Sequence, residues 1–378
     1  MDKEHVPFLN HDVLAKIFRH INSRTLSKCA QVCSLWYEMS VAEKKRRTSI
    51  LWTLKVYPPS NDYSVMESEL FNALENIPIQ PAFCIASMTI PLFKDFKKYF
   101  PSFGSTEHKN KKQRLSEDVR KGKYLNKVKH TALAAFLPES CPVAFTVASS
   151  ILGFTVDCKP IKIVDGPAVS AVYIPEVPGF KVSYFSMNNR NYNLSRFLAE
   201  NSPVKGILIF MPREPKYSTK LIQTLRLDNK DLKMAVGGAF VEHTDSFLGF
   251  VTAFSGPNAE AASIVIQMDD GKEEIMAKFE TFQETGLLNH KCFAYMFLSD
   301  KRSFSWNRKE KILESEVFSQ MYSNVPLFGI YSYKKLGCNY LPNFPKEKIL
   351  KAGKFVENRR GFFYSDVSVV VLISLKAK

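Results

Sequence analysis

The sequence predicts an α+β protein, with a small all-α segment at the amino terminus and a much larger region of mixed α/β character behind it. Three observations predict it. Between Asn10 and Lys45 apolar residues recur at helical spacing, whereas from Thr48 onward short apolar runs alternate with amphipathic stretches. Several of those runs also follow one another with no helix between, which favours α+β layering over a simple doubly wound sheet.

In the first segment Val13, Leu14, Ile17, Phe18 and Ile21 make a stripe down one helix face, which His11-Asp12 can start and Asn22-Ser23 can end. After a turn at Ser23-Arg24-Thr25, two further apolar groups each indicate a short helix: Leu26, Cys29, Ala30, Val32 and Cys33, then Leu35, Trp36 and Met39. Lys44 to Arg47 extends the last of these as a solvated face. Three short helices bury little surface by themselves, so a module of this size implies a binding partner.

Strands are expected over residues 49–56, 83–90, 143–149, 162–174, 206–211, 232–237, 247–254, 262–268, 290–298, 325–331 and 362–375. Amphipathic helices are expected over 63–76, 118–136, 218–227, 272–286 and 309–322. No internal repeat is visible.

Composition bounds the function classes. With 45% hydrophobic and 24% charged residues among 378, the chain has enough apolar material for a sizeable core. It has no run of about 18 uncharged apolar residues, and Asp2, Lys3 and Glu4 at its start do not form a signal pattern, so neither a membrane protein nor a secreted one is expected. The seven cysteines, Cys29, Cys33, Cys84, Cys141, Cys158, Cys292 and Cys338, are odd in number and scattered, which indicates reduced thiols in cytoplasm or nucleus.

The net charge of +15 is concentrated. Residues 94–130 hold twelve Lys/Arg against four Asp/Glu, an excess of +8, around a polar stretch at about 101–117 that reads as a flexible basic insertion. A localisation signal or a contact with an acidic partner are its sharper readings. Nucleic-acid binding ranks last, because the segment lacks aromatics at regular spacing.

The run from Leu9 to Phe18 followed by Leu26 to Trp36, with Ala30, Val32, Cys33 and Trp36 at the right intervals, resembles the F-box. Asn10 stands where that family commonly has proline. The resemblance implies that Leu9, Leu14, Ile17, Phe18, Val32, Cys33 and Trp36 bind a Skp-family adaptor and, through it, a cullin. The rest of the chain is similar to FIST domains, on Val236-Gly-Gly238, the 250–256 segment, the 292–297 segment and 325–329 followed by Leu336-Gly-Cys338. That implies a two-lobed α/β module, divided as 1–48, 49–230 and 231–378.

No enzyme signature is present: no phosphate loop, no dinucleotide fingerprint, no His-Glu-x-x-His, no Cys-x-x-Cys and no Gly-x-Ser-x-Gly. No cofactor and no metal are expected, the seven histidines being dispersed. Gly237-Gly238 reads either as a strand-ending turn or as a place where a ligand approaches the backbone. Gly337-Cys338 follows Lys334-Lys335, whose charge could lower the thiol pKa of a loop cysteine, while an unreactive, half-buried cysteine is the favoured reading. The leading expectation, implied by the resemblance to the F-box, is a non-catalytic receptor for an unknown protein substrate in a ubiquitin ligase, present in cytoplasm and nucleus. The alternative is a small-molecule or redox sensor built on Gly237, Gly238, Gly337 and Cys338.

Overall fold

The computed structural model describes residues 10–57, 77–99, 137, 141–155, 159–163, 166–187, 193–212, 233–244, 249–299, 314–342, 363–365 and 367–376. The expected helices over 63–76, 118–136 and 218–227, and the basic stretch at 101–117, lie outside these residues.

The amino terminus folds as three helices, α1 (His11–Phe18), α2 (Ser23–Cys29) and α3 (Ser34–Arg46). Asn10 caps α1 by accepting from the Asp12 amide, and Asn22 caps α2 by accepting from the Thr25 amide at 2.8 Å. Asn22 therefore opens the second helix rather than closing the first, and the expected turn at 23–25 is helical. Leu14, Phe18, Leu26 and Met39 form a small closed core, with the Trp36 ring set edge-on to Phe18 at 5.5 Å.

The sheet region runs β1 (Leu51–Val56), β2 (Pro81–Thr89), α4 (Ile90–Tyr99), β3 (Val143–Ala148), β4 (Ser150–Phe154), β5 (Pro160–Ile163) and β6 (Ala168–Pro175). It continues β7 (Lys181–Ser186), α5 (Leu194–Glu200), β8 (Val204–Pro212), β9 (Ala235–Val241), β10 (His243–Thr244) and β11 (Phe250–Ser255). It closes with β12 (Ala259–Ile266), α6 (Lys272–Glu284), β13 (Lys291–Ser299), α7 (Glu314–Met321), β14 (Leu327–Ser332), β15 (Lys335–Gly337), β16 (Phe363–Ser365) and β17 (Ser368–Leu375). The α+β class stands, small helical segment first and sheet-rich region second.

These strands make three sheets, ordered β1-β6-β2-β3-β10, β7-β11-β8-β9-β15-β16 and β12-β17-β13-β14-β4-β5. The same plan is written three times. In each sheet the central pair, β2/β3, β8/β9 or β13/β14, is parallel, while the other pairings are antiparallel. Each unit supplies a first strand, the parallel pair joined by a crossover, and a last strand that inserts between the first strand and the pair. The extra strands are handed on: β4 joins the third sheet, β10 the first and β15 the second, each beside a parallel pair. The expected boundary at 230/231 falls between β8 and β9, which pair with each other.

The inner faces of all three sheets meet in one core. Phe210 of β8 stacks on Phe250 and lies edge-on to Tyr295 of β13 at 5.6 Å. The Tyr295 hydroxyl is hydrogen-bonded to Ser87 of β2 at 3.0 Å, so the three units touch at one point. Outer faces are covered by helices, including α4 against the first sheet and α5 against the second.

Candidate functional site: the amino-terminal helical surface

Helix α1 has two apolar faces. Leu14 and Phe18 point into the helical core, whereas Val13 and Ile17, one turn apart on the other side, are each 45% exposed. Around the start of α3, Val32 is 63% and Tyr37 57% exposed, with Cys33 exposed beside them. Among the described residues seven large hydrophobics are exposed, and four of them lie in these 25 residues. Apolar exposure gathered on one small module marks a protein-binding surface.

The expected adaptor-binding set is therefore split. Ile17, Val32 and Cys33 face outward. Leu14 and Phe18 do not: both are fully enclosed by the helices, because a three-helix module has to spend its best apolar residues on its own core. Trp36 is half-buried against Phe18, and Leu9 lies outside the described residues. Val13 and Tyr37, exposed on the same module, were not in the expected set. The i, i+4 pairing of Val13 with Ile17 could have disclosed the first, since residues four apart share a helix face.

The second candidate set is brought together, but not as a ligand site. Gly237 and Gly238 lie inside β9, and Gly337 in β15 is the cross-strand partner of Gly237. The space above them is filled by neighbours: a Cβ on Gly337 would come within 2.6 Å of Val369, and one on Gly238 within 2.7 Å of the Ile209 carbonyl oxygen. Neither a strand-ending turn nor an open backbone is present. Cys338 is 8% exposed, with its thiol near the Met234 carbonyl, and burial pushes it up to about 11 despite hydrogen bonding with Ser263 and Val236. Lys335 is buried and donates to the Ser332 carbonyl at 3.1 Å, while Lys334 lies over the Tyr333 ring. Of the two readings of Cys338, burial favours the unreactive packing cysteine over the exposed, low-pKa thiol.

Among the described residues no group of three or more His, Cys, Asp or Glu could hold a metal ion, and no helix is long and apolar enough to cross a membrane. An open hollow of about 360 Å³, lined by Arg19, His20, Ile21, Asn22, Thr25 and Pro78, lies where the helices meet the sheet region.

In comparison with known proteins, the model of the F-box-like family matches residues 11–46. Residues 11–46 are an F-box-like domain. Its limits coincide with the start of α1 and the end of α3. Over its length the chain is similar to F-box only protein 22 from Homo sapiens, 21% identical over 393 residues that cover 96% of this chain and 92% of that protein. F-box only protein 22 from Pongo abelii aligns with the same identity and coverage. Among solved structures, cyanuric acid hydrolase from A. caulinodans superposes with a TM-score of 0.34 and 8% identity, over 87% of this chain and 100% of that one, and at that score it carries no argument.

Proposed function

We propose that this chain is the substrate-recognition subunit of a Skp-cullin-F-box ubiquitin ligase. The observation that carries the reading is the outward apolar surface of Val13, Ile17, Val32 and Tyr37 on the F-box-like domain. Burying such side chains against a Skp-family adaptor stabilises the complex by about 1.5–3 kcal/mol for each one fully buried. The cullin is then recruited through the adaptor.

In this reading the chain performs no bond chemistry. The sheet region, the part that resembles FIST domains, selects a protein substrate. Holding that substrate beside the charged conjugating enzyme raises the effective concentration of its lysines. The substrate is then ubiquitinated and degraded, in cytoplasm and nucleus.

Co-purification tests it. The wild-type chain is expected to bring down a Skp-family adaptor together with a cullin. The double variant Ile17→Asp with Val32→Asp is expected to bring down neither, since a charge on a desolvated apolar surface costs several kcal/mol. Wild-type recovery of adaptor by a folded double variant would rule the reading out.

A further inference from the structure

Four residues, Arg47 to Ile50, join α3 to β1. Both ends of this link are anchored, at Glu43 inside the F-box-like domain and at Ile50 in the core shared by the sheets. Arg47 lies between them with a side chain only 9% exposed. Its Nε donates to Glu43 Oε1 at 2.8 Å, one terminal nitrogen donates to the Phe18 carbonyl at 2.6 Å, and the other donates to the Pro78 carbonyl.

Those three acceptors belong to three different places. Glu43 is in α3, Phe18 ends α1, and Pro78 lies in the segment leading to β2, where Ile77 and Ile79 are buried in the outer core of the first sheet. One guanidinium thus ties two helices of the F-box-like domain to the sheet region. Two more bonds cross the same junction: the Ser23 amide donates to the Ile77 carbonyl at 3.3 Å, and Lys291 Nζ, at the start of β13, donates to Thr48 Oγ1 at 2.7 Å.

We propose that Arg47 is a positioning residue, which locks the F-box-like domain to the sheet region in one orientation so that the receptor presents its substrate to the ligase's catalytic arm at a fixed angle. The functional half of this inference rests on the receptor reading above; the geometric half does not. A guanidinium suits the task because its donors are fixed in a planar fork, whereas a lysine ammonium on a flexible stem cannot hold three diverging acceptors. Fixed presentation matters because the effective concentration of a target lysine falls as the orientations available to it spread. Removing Arg47 does not strand its buried counter-ion, since Glu43 also accepts from Arg46 at 2.8 and 2.9 Å.

The test uses the full chain. Spin labels on ketone-bearing residues replacing exposed Ala42 and Gln283 avoid the native thiols, and pulsed dipolar spectroscopy then reads the distance between the two parts. The wild-type chain is expected to give one narrow distribution, and both Arg47→Ala and Arg47→Lys a distribution at least about twofold wider, with adaptor affinity changed by less than about twofold. A wild-type width in Arg47→Ala, or several peaks in the wild-type chain, would overturn the geometric half. In the reconstituted ligase, the lysines modified on the chain itself are mapped for the same variants. A shifted pattern at equal adaptor affinity supports the functional half, and an unchanged pattern with broadened distances overturns it. Failure of the wild-type chain to bind the adaptor defeats the receptor reading alone, because the distance measurement needs no partner.

Discussion

Gly237 of β9 stands opposite Gly337 of β15, and the third sheet closes over both. A Cβ on Gly237 would collide with Val371, and one on Gly337 would lie 2.6 Å from Val369 and 2.8 Å from the Val236 carbonyl oxygen. Val369 and Val371 share one face of β17, so two residues of one strand fill the space left by two glycines of another sheet. This pair is a packing device, and its contacts make the first prediction.

Gly237→Ala and Gly337→Ala are each expected to destabilise the protein by roughly 1–3 kcal/mol, the usual range for overpacking. Gly337→Ala should cost more, because one of its new contacts is with backbone, which yields less than a side chain. Denaturant midpoints measure both. Stability within about 0.5 kcal/mol of wild type would mean that the two sheets are not in close contact there.

Thiol reactivity should follow exposure. Cys33 is exposed and Cys29 half-buried, whereas Cys84, Cys141, Cys292 and Cys338 are buried. Native alkylation read by peptide mass spectrometry is expected to modify Cys33 first and Cys338 no faster than Cys292, since the thiolate is the reacting form. Preferential labelling of Cys338 in the folded protein would restore the sensor reading.

Alkaline pH should weaken the fold. Burial raises Cys292 and Cys338 from 9.0 to about 11, and Cys141 to about 12. A group whose pKa is raised on folding contributes stability that is full below its unfolded value and lost as pH rises through the folded one. Stability from Cys338 is therefore expected to decline between about pH 9 and pH 11, and the decline should be shallower in Cys338→Ala. Identical alkaline unfolding profiles for the two chains would show that the thiol is not buried as described.

Leu14 and Ile17 should separate stability from binding. Leu14→Ala removes a fully enclosed side chain and is expected to cost about 2–5 kcal/mol of stability in the helical module. Ile17→Ala, at an exposed site, is expected to change stability by less than about 0.5 kcal/mol while weakening adaptor binding at least about tenfold. Circular dichroism melts and adaptor titration distinguish the two, and equal melting losses would contradict the assignment of faces.

Much of this architecture could be read from the chain, and the failures share a cause. The three amino-terminal helices were legible because a 3.6-residue period persists, but the period does not say which half of an apolar stripe turns inward. Leu14 and Val13 look alike in sequence; only packing separates them. Residues 162–174 and 362–375 each read as one strand, yet each contains two that belong to different sheets, β5 and β6, then β16 and β17. β4 was hidden because a single residue, Ser149, parts it from β3. β7 was hidden because its exposed and half-buried residues do not make a continuous apolar run. The threefold repetition left no mark because it is a repetition of strand order, which many sequences can satisfy, rather than of side chains. Arg47 looked like the end of a solvated basic run, and its three partners come from places up to 31 residues away.

The handing-on of strands between sheets has a consequence for synthesis. β17 lies between β12 and β13, so β12 stays unjoined to the rest of the third sheet until residue 375 has left the ribosome. β15, needed by the second sheet, emerges after residue 335. Neither sheet can be completed by an amino-terminal fragment, and such long-range pairing is slow to form. The F-box-like domain, by contrast, is whole within the first 46 residues. A nascent chain can therefore expose the whole F-box-like domain while its sheet region is still incomplete, and stalled or shortened chains would carry that domain without the rest of the fold.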